Sequence, residues 1–224
     1  MNQEIEKHVI KTGTVTIGIV CKDGVVLGAD RRVSYAGGGG VVYFADKMKK
    51  ILEITDRIIT TVAGGAADAK KEIQVLRAEV RLKELRTREK ASVSEVANLL
   101  SNMAYQNIRT PSMIPMIAHF LVAGRDSEGV WLYDVSPDGH LKDVKKYASS
   151  GAGIMQVDAI LDSEYREGMS LQEAVNLIKK CIITTSGREP SVGAGMDIYT
   201  ITKDSLKQVV EQEALLDFKD IKSK

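Results

Sequence analysis

The stretch from Thr12 to Arg32 constrains the fold more than any other part of this chain. Apolar side chains alternate through Val15, Ile17 and Ile19, the period-two pattern of a strand with a buried face. Lys22-Asp23-Gly24 supplies a turn, with glycine available for the positive φ that tight hairpins need. A second apolar run, Val25 to Ala29, returns and ends in three charges, Asp30-Arg31-Arg32. The segment predicts a β-hairpin whose return strand brings Asp30 back beside Thr14. Cleavage between Gly13 and Thr14 would leave a threonine with both a hydroxyl and a free α-amine. A hydroxyl alone is a weak nucleophile, and an adjacent amine can act as its base.

With 224 residues the chain is long enough to bury a substantial core as one α/β-sized domain. Its 31 basic and 30 acidic residues leave a net charge of +1, which gives no electrostatic case for nucleic acid or for a membrane surface. No apolar run approaches the roughly 18 residues of a membrane span. Residues Met1 to Lys11 are too polar for a secretory signal, and a cytoplasmic location is expected. Cys21 and Cys181 have no metal-ligand spacing and read as small core residues. No metal and no cofactor is expected.

Beyond the hairpin, Gly37 to Gly40 mark a loop and Val41 to Phe44 a short strand. Ile51 to Ile54 and Ile58 to Val62, around Thr55-Asp56-Arg57, predict a second hairpin running into Gly64-Gly65. Ala66 to about Arg88 has helical period, with Ile73, Leu76, Val80 and Leu85 near one face. Ser92 and Glu95 form a capping box for a second helix with an apolar stripe of Val93, Val96, Leu99, Leu100 and Met103. Pro111 and Pro115 mark the next connection. Ile117–Gly124, Gly129–Val135 and about Leu141–Ser149 predict three antiparallel strands. Two helices follow, Ile154–Tyr165 and Leu171–Thr185, the latter with Ser170 and Glu173 placed as another capping box. Met196–Thr202 and Leu206–Val210 are the last strands, before a polar tail from Glu211. Segregated runs of strands and helices argue for an α+β protein with helices layered on antiparallel sheets.

Gly-Thr, then a hairpin, then Gly28-Ala29-Asp30-Arg31-Arg32 resembles the start of a proteasome β-type subunit, an N-terminal-nucleophile hydrolase. The likeness continues through Lys49-Lys50-Ile51-Leu52-Glu53-Ile54 and Val62-Ala63-Gly64-Gly65-Ala66-Ala67-Asp68, and runs in family order from about Ile10 to about Thr202. The resemblance implies the four-layer αββα sandwich of N-terminal-nucleophile hydrolases. It implies residues 1–13 as a propeptide and 14–224 as one catalytic domain, with cleavage between Gly13 and Thr14. Thr14 is then the nucleophile of a threonine endopeptidase that degrades unfolded proteins. Lys50 is the lysine beside it, with Lys47 and Lys49 as competing candidates because the preceding loop is about four residues longer than the family pattern. Asp30 pairs with that lysine, or else makes a strand-end salt bridge to Arg31 or Arg32. Gly64 offers the oxyanion its backbone N–H, and Glu189 stands for an aspartate of the family site. Val33, Met48, Val62 and Ala66 line an apolar substrate pocket, which implies cleavage after hydrophobic residues. The implied partners are further β-type subunits in a seven-membered ring, α-type proteasome subunits, unfolded substrates and, indirectly, an ATPase activator.

Three positions depart from the family pattern. Ala152, in Ser150-Gly151-Ala152-Gly153, stands where active relatives have serine. In Arg188-Glu189-Pro190-Ser191-Val192-Gly193, Glu189 replaces aspartate and Val192 replaces serine, with Ser191 one position away. These departures favour a non-catalytic structural β-type subunit as the alternative, while Thr14, Asp30, Lys50 and Gly64 favour the peptidase. A small-molecule amidase of the same fold is the third reading, disfavoured by a likeness that spans nearly the whole chain.

Overall fold

The alternation of the N-terminal hairpin becomes two paired strands, β1 (Val15–Cys21) and β2 (Gly24–Asp30), in register from Thr16↔Ala29 to Cys21↔Gly24. The computed structural model describes residues 13–36, 42–112 and 116–213. The leader before Gly13, the glycine run 37–40 with Val41, Pro115 and the tail beyond Glu213 lie outside these residues.

Thirteen strands and four helices follow in chain order among the described residues. After the first hairpin come β3 (Arg32–Ala36), β4 (Val42–Lys47), β5 (Ile51–Glu53), β6 (Ile58–Thr61) and the short β7 (Ala63–Gly64). Helices α1 (Ala66–Thr87) and α2 (Val93–Arg109) come next, then β8 (Ala118–Arg125), β9 (Val130–Val135), β10 (Leu141–Asp143) and β11 (Tyr147–Gly151). Helices α3 (Ile154–Glu164) and α4 (Leu171–Ser186) precede β12 (Gly195–Ile201) and β13 (Leu206–Glu213). One sheet has the order β11-β1-β2-β12-β13 and the other β10-β9-β8-β6-β5, with β7 on β8 and a separate β3-β4 pair.

Side chains at alternate strand positions point to opposite faces, so each sheet can bury both. Val15, Ile17, Ile19 and Cys21 on β1 pack against α3 and α4 through Val157, Leu161, Ile178 and Cys181. Phe120 and Val122 on β8 pack against α1 and α2 through Ile73, Leu76, Val96 and Leu100. Their neighbours Leu121 and Ala123 face the other way, meeting Val25, Leu27 and Ala29 of β2 between the sheets. The result is helices, sheet, sheet, helices: the four-layer αββα sandwich, an α+β fold.

Both capping boxes form. Ser92 accepts from the Glu95 amide and Ser170 from the Glu173 amide, each glutamate reaching back to its cap; one such cap contributes about 1 kcal/mol. Both cysteines are buried and unbridged. Three expectations change. Leu85 is 59% exposed, because at 3.6 residues per turn it stands on the far side of the helix from Leu76 and Val80. The run 141–149 is two strands in different sheets: β10 pairs with β9, and β11 crosses to pair with β1. Strand β13 extends to Glu213, so the polar tail begins inside a strand. No helix of the described residues is long and apolar enough to cross a membrane.

The contact between α1 and α2 holds a buried acid, Glu72, only 4% exposed. Burial pushes its carboxyl up from an ordinary 4.5 to about 7, and a hydrogen bond from Asn107 offsets this in part. Its Oε1 has no partner among the described residues. A raised folded-state pKa means the native protein holds this proton more tightly than the unfolded chain does. Its stability contribution is complete below pH ~4.5 and is lost as pH rises through ~7. Glu72→Gln is therefore expected to leave urea stability unchanged at pH 5 and to raise it by about 2 kcal/mol at pH 8. Equal shifts at both pH values would mean that folding does not move the carboxyl's pKa.

Candidate active site

Four backbone ends converge where the two sheets open at one edge. The start of β1 carries Thr14, the end of β2 carries Asp30, Lys50 immediately precedes β5, and Gly64 ends β7. The first sheet thus supplies Thr14 and Asp30, and the second supplies Lys50 and Gly64. Gly13, Thr14, Arg32, Val33, Met48, Lys50, Val62, Gly64 and Ala66 line one small hollow, which gathers all four expected pocket residues.

Asp30 is fully buried, and its carboxylate is met by four donors. Oδ1 accepts from the Val15 amide at 2.9 Å and from Lys50 Nζ at 2.7 Å. Oδ2 accepts from the Gly193 amide at 2.9 Å and the Arg32 amide at 3.1 Å. The expected choice between Lys50 and the neighbouring arginines falls to Lys50. Arg31 turns the other way, into a buried pair with Asp197, its Nε 2.9 Å from Oδ2. Arg32 places its guanidinium on the Pro190 carbonyl.

The competition among three lysines is decided by β13. Glu211 takes Lys49 at 2.9 Å and Glu213 takes Lys47 at 3.6 Å, both near the surface. Lys50 alone of the three points inward and is 2% exposed. Burial lowers its pKa, the Asp30 carboxylate pulls it back up, and the Arg32 charge lowers it further.

The junction between Gly13 and Thr14 is closely held. The Gly13 carbonyl accepts from Lys50 Nζ at 3.1 Å and from the Thr14 hydroxyl at 2.7 Å. The Gly13 amide donates to Ser34 Oγ at 3.1 Å. A Cβ on Gly13 would fall 1.8 Å from Ser191 Cβ, so only glycine fits. Behind the junction, β11 aligns Gly151 with Val15, and the Gly153 amide approaches the Thr14 carbonyl at 3.4 Å.

Gly64 has φ +126°, and a Cβ there would meet the Ile117 carbonyl oxygen at 2.3 Å. The backbone can therefore approach the hollow only as glycine. Glu189 is not aimed at Thr14. It accepts from the Ser191 amide at 3.1 Å and the Ser191 hydroxyl at 2.5 Å, which fixes the loop that packs on Gly13. Val192 is fully buried among Val15 and the α4 side chains, so Ser191, and not its neighbour, reaches the junction. Ala152 is exposed and brings no hydroxyl. Ser150, two positions earlier, instead pairs its hydroxyl with Thr16 at 2.7 Å. Ser34 escaped sequence reasoning, because a lone serine in a strand carries no motif.

A family profile described as "Proteasome subunit" matches residues 10–201. Among curated proteins, the chain is 33% identical over 202 residues to a "Proteasome subunit beta" of Methanopyrus kandleri, covering 90% of this chain and 93% of that one. It is 31% identical over 210 residues to the "Proteasome subunit beta" of Archaeoglobus fulgidus, covering 93% and 94%. It is 36% identical over 197 residues to the "Proteasome subunit beta 2" of Pyrococcus abyssi, covering 88% and 90%.

Proposed function

Because the chain belongs to the proteasome subunit family, as a β-type subunit of the core particle, we propose that it is a threonine endopeptidase that frees its own nucleophile. The observation that carries this reading is the Gly13 carbonyl, which sits between the Thr14 hydroxyl and the buried Lys50 ammonium. Residues 1–13 are the propeptide and 14–224 the working subunit.

In the first reaction Thr14 Oγ1 attacks the Gly13 carbonyl carbon, and its proton passes through a water to the departing Thr14 nitrogen. The carbonyl oxygen becomes an oxyanion beside Lys50, whose charge acts strongly because it is buried. Collapse breaks the Gly13–Thr14 C–N bond, and the departing nitrogen takes up a proton to become the Thr14 α-amine. This leaves Gly13 as an ester on the threonine oxygen, and water then hydrolyses the ester. Asp30 holds Lys50 in place from the far side.

The freed amine then serves as base for the same hydroxyl in attack on a substrate peptide. Gly64 supplies a backbone N–H to that second oxyanion, which its glycine geometry favours. Glu189 and Ser191 act as positioning residues that hold the loop over Thr14. The apolar lining of Val33, Met48, Val62 and Ala66 suits a substrate side chain with an apolar stem. The reading places the subunit in a seven-membered β ring with α-type rings, in the cytoplasm, on unfolded proteins that an ATPase delivers.

A second reading, a structural subunit without chemistry, is favoured by Ala152 and Val192, which lack the hydroxyls of active relatives. Intact mass after co-assembly with an α-type subunit separates the two. The peptidase reading expects loss of residues 1–13 in the wild type and none in Thr14→Ala. A full-length wild-type chain in a correctly assembled particle would leave Thr14 without a free amine and would overturn it.

A further inference from the structure

Behind the hollow at Thr14 lies a second, larger cavity that shares a wall with it. Met48, Val62 and Ala66 line both. The second cavity continues with Lys49, Leu52, Lys70, Ile73, Gln74 and Arg77. Its floor is apolar: Leu52, Val62 and Ile73 belong to the core or pack against it. Its rim is cationic, with three basic side chains and no carboxylate among the lining residues.

The rim is built by helical spacing. Lys70, Gln74 and Arg77 stand one turn apart along α1, and the Ile73 side chain sits between them. The three cations differ in how far they are committed. Lys49 is paired with Glu211 at 2.9 Å. Arg77 donates its Nε to the Glu53 carbonyl at 2.6 Å. Lys70 makes no hydrogen bond or ion pair among the described residues, so its charge is available to an incoming group. The start of α1 lies at the shared wall, and its first-turn N–H groups add positive potential to the same region.

We infer that this cavity makes the subunit selective for substrates with a carboxylate on the residue just before the cut, glutamate above all. This rests on the peptidase reading and deepens it. The methylenes of such a side chain pass the apolar wall of Met48, Val62 and Ala66. The carboxylate then reaches the rim, where Lys70 is the principal specificity residue and Arg77 adds its field. Leucine fills the apolar part and is accepted. Lysine meets like charges and is rejected.

Four fluorogenic peptides test this, identical except for Glu, Gln, Leu or Lys before the cut, on the assembled particle. Glu and Gln have the same shape, so the ratio of their kcat/KM values reports charge alone and does not depend on the fraction of active particles. The wild type is expected to favour Glu over Gln by about five- to tenfold, falling as salt is raised. Lys is expected to be the poorest substrate. Lys70→Gln should remove most of the Glu preference, and Lys70→Glu should invert it. A wild-type ratio of one or less would overturn the inference while leaving the peptidase reading intact. So would a ratio that neither Lys70 variant changes. Failure of the wild type to cut any of the four would overturn the peptidase reading itself.

Discussion

Lys50→Met leaves the Gly13–Thr14 bond uncut in the assembled particle and lowers maturation by about a thousandfold or more. Two observations support a loss this large. The ammonium is hydrogen-bonded to the Gly13 carbonyl oxygen, where negative charge develops, and it is 2% exposed. Removing one donor from such a site typically costs on the order of a hundred- to a thousandfold. Lys50 is also charged, which adds to the effect. Methionine keeps the length of the side chain and its packing, and Asp30 keeps three backbone donors, so the fold survives. The readout is intact mass over time. A pH series adds a second check. Burial lowers the Lys50 pKa, and only the protonated form polarises the carbonyl. Wild-type maturation should then fall on the alkaline side earlier than an ordinary lysine would dictate. Cleavage of the Lys50→Met chain at the wild-type rate would remove the lysine from the mechanism.

How much of this was legible in the sequence varies with the kind of signal. The first hairpin and all four helices announce themselves, because their apolar periods match the layers they pack into. Both capping boxes are local, and they form as read. Strand β3 went unread because Arg32 to Ala36 has no apolar run and pairs only with β4. The split between β10 and β11 was missed because Val144, between them, is itself buried and reads as part of a strand. The Lys145-Lys146 pair that follows breaks the pattern, and it marks the place where the chain changes sheets. Leu85 failed for a different reason: nine residues on from Leu76, it is half a turn out of phase with the buried face.

The site was legible where residues are fixed by their place in the hairpin, as Thr14 and Asp30 are. Lys50 was chosen over Lys47 and Lys49 by the family match alone; the physical reason lies in Glu211 and Glu213, more than 160 residues further along the chain. The loop 188–193 shows the same limit. Its order suggests Val192 at the place of a serine, yet the turn held by Glu189 brings Ser191 to Gly13. A hydroxyl-bearing residue therefore stands at the junction, one position before the one that matching by order assigns. That argues against treating Val192 as a simple loss of function.

Asp30→Asn is expected to be the most damaging single change to stability at the site, and a second mutation should rescue part of it. Four donors converge on two carboxylate oxygens, and an amide offers only one oxygen. Its NH2 group would face donors and satisfy none of them. Lys50 would meanwhile lose its counter-charge while remaining buried. Breaking a buried pair by removing one partner typically costs about 3–5 kcal/mol, since it strands the other charge. Lys50→Met strands less, because Asp30 retains its three backbone amides. The Asp30→Asn/Lys50→Met double variant should therefore unfold at higher urea than Asp30→Asn alone, by about 1–2 kcal/mol, a clear departure from additivity. Maturation should be lost in all three. Urea midpoints at one fixed subunit concentration measure this directly. A double variant less stable than Asp30→Asn would mean that the lysine contributes more through its hydrophobic stem and its bond to Gly13 than it costs as a stranded charge. Lys50 would then stabilise the fold on its own account as well as supplying the charge that acts on Gly13.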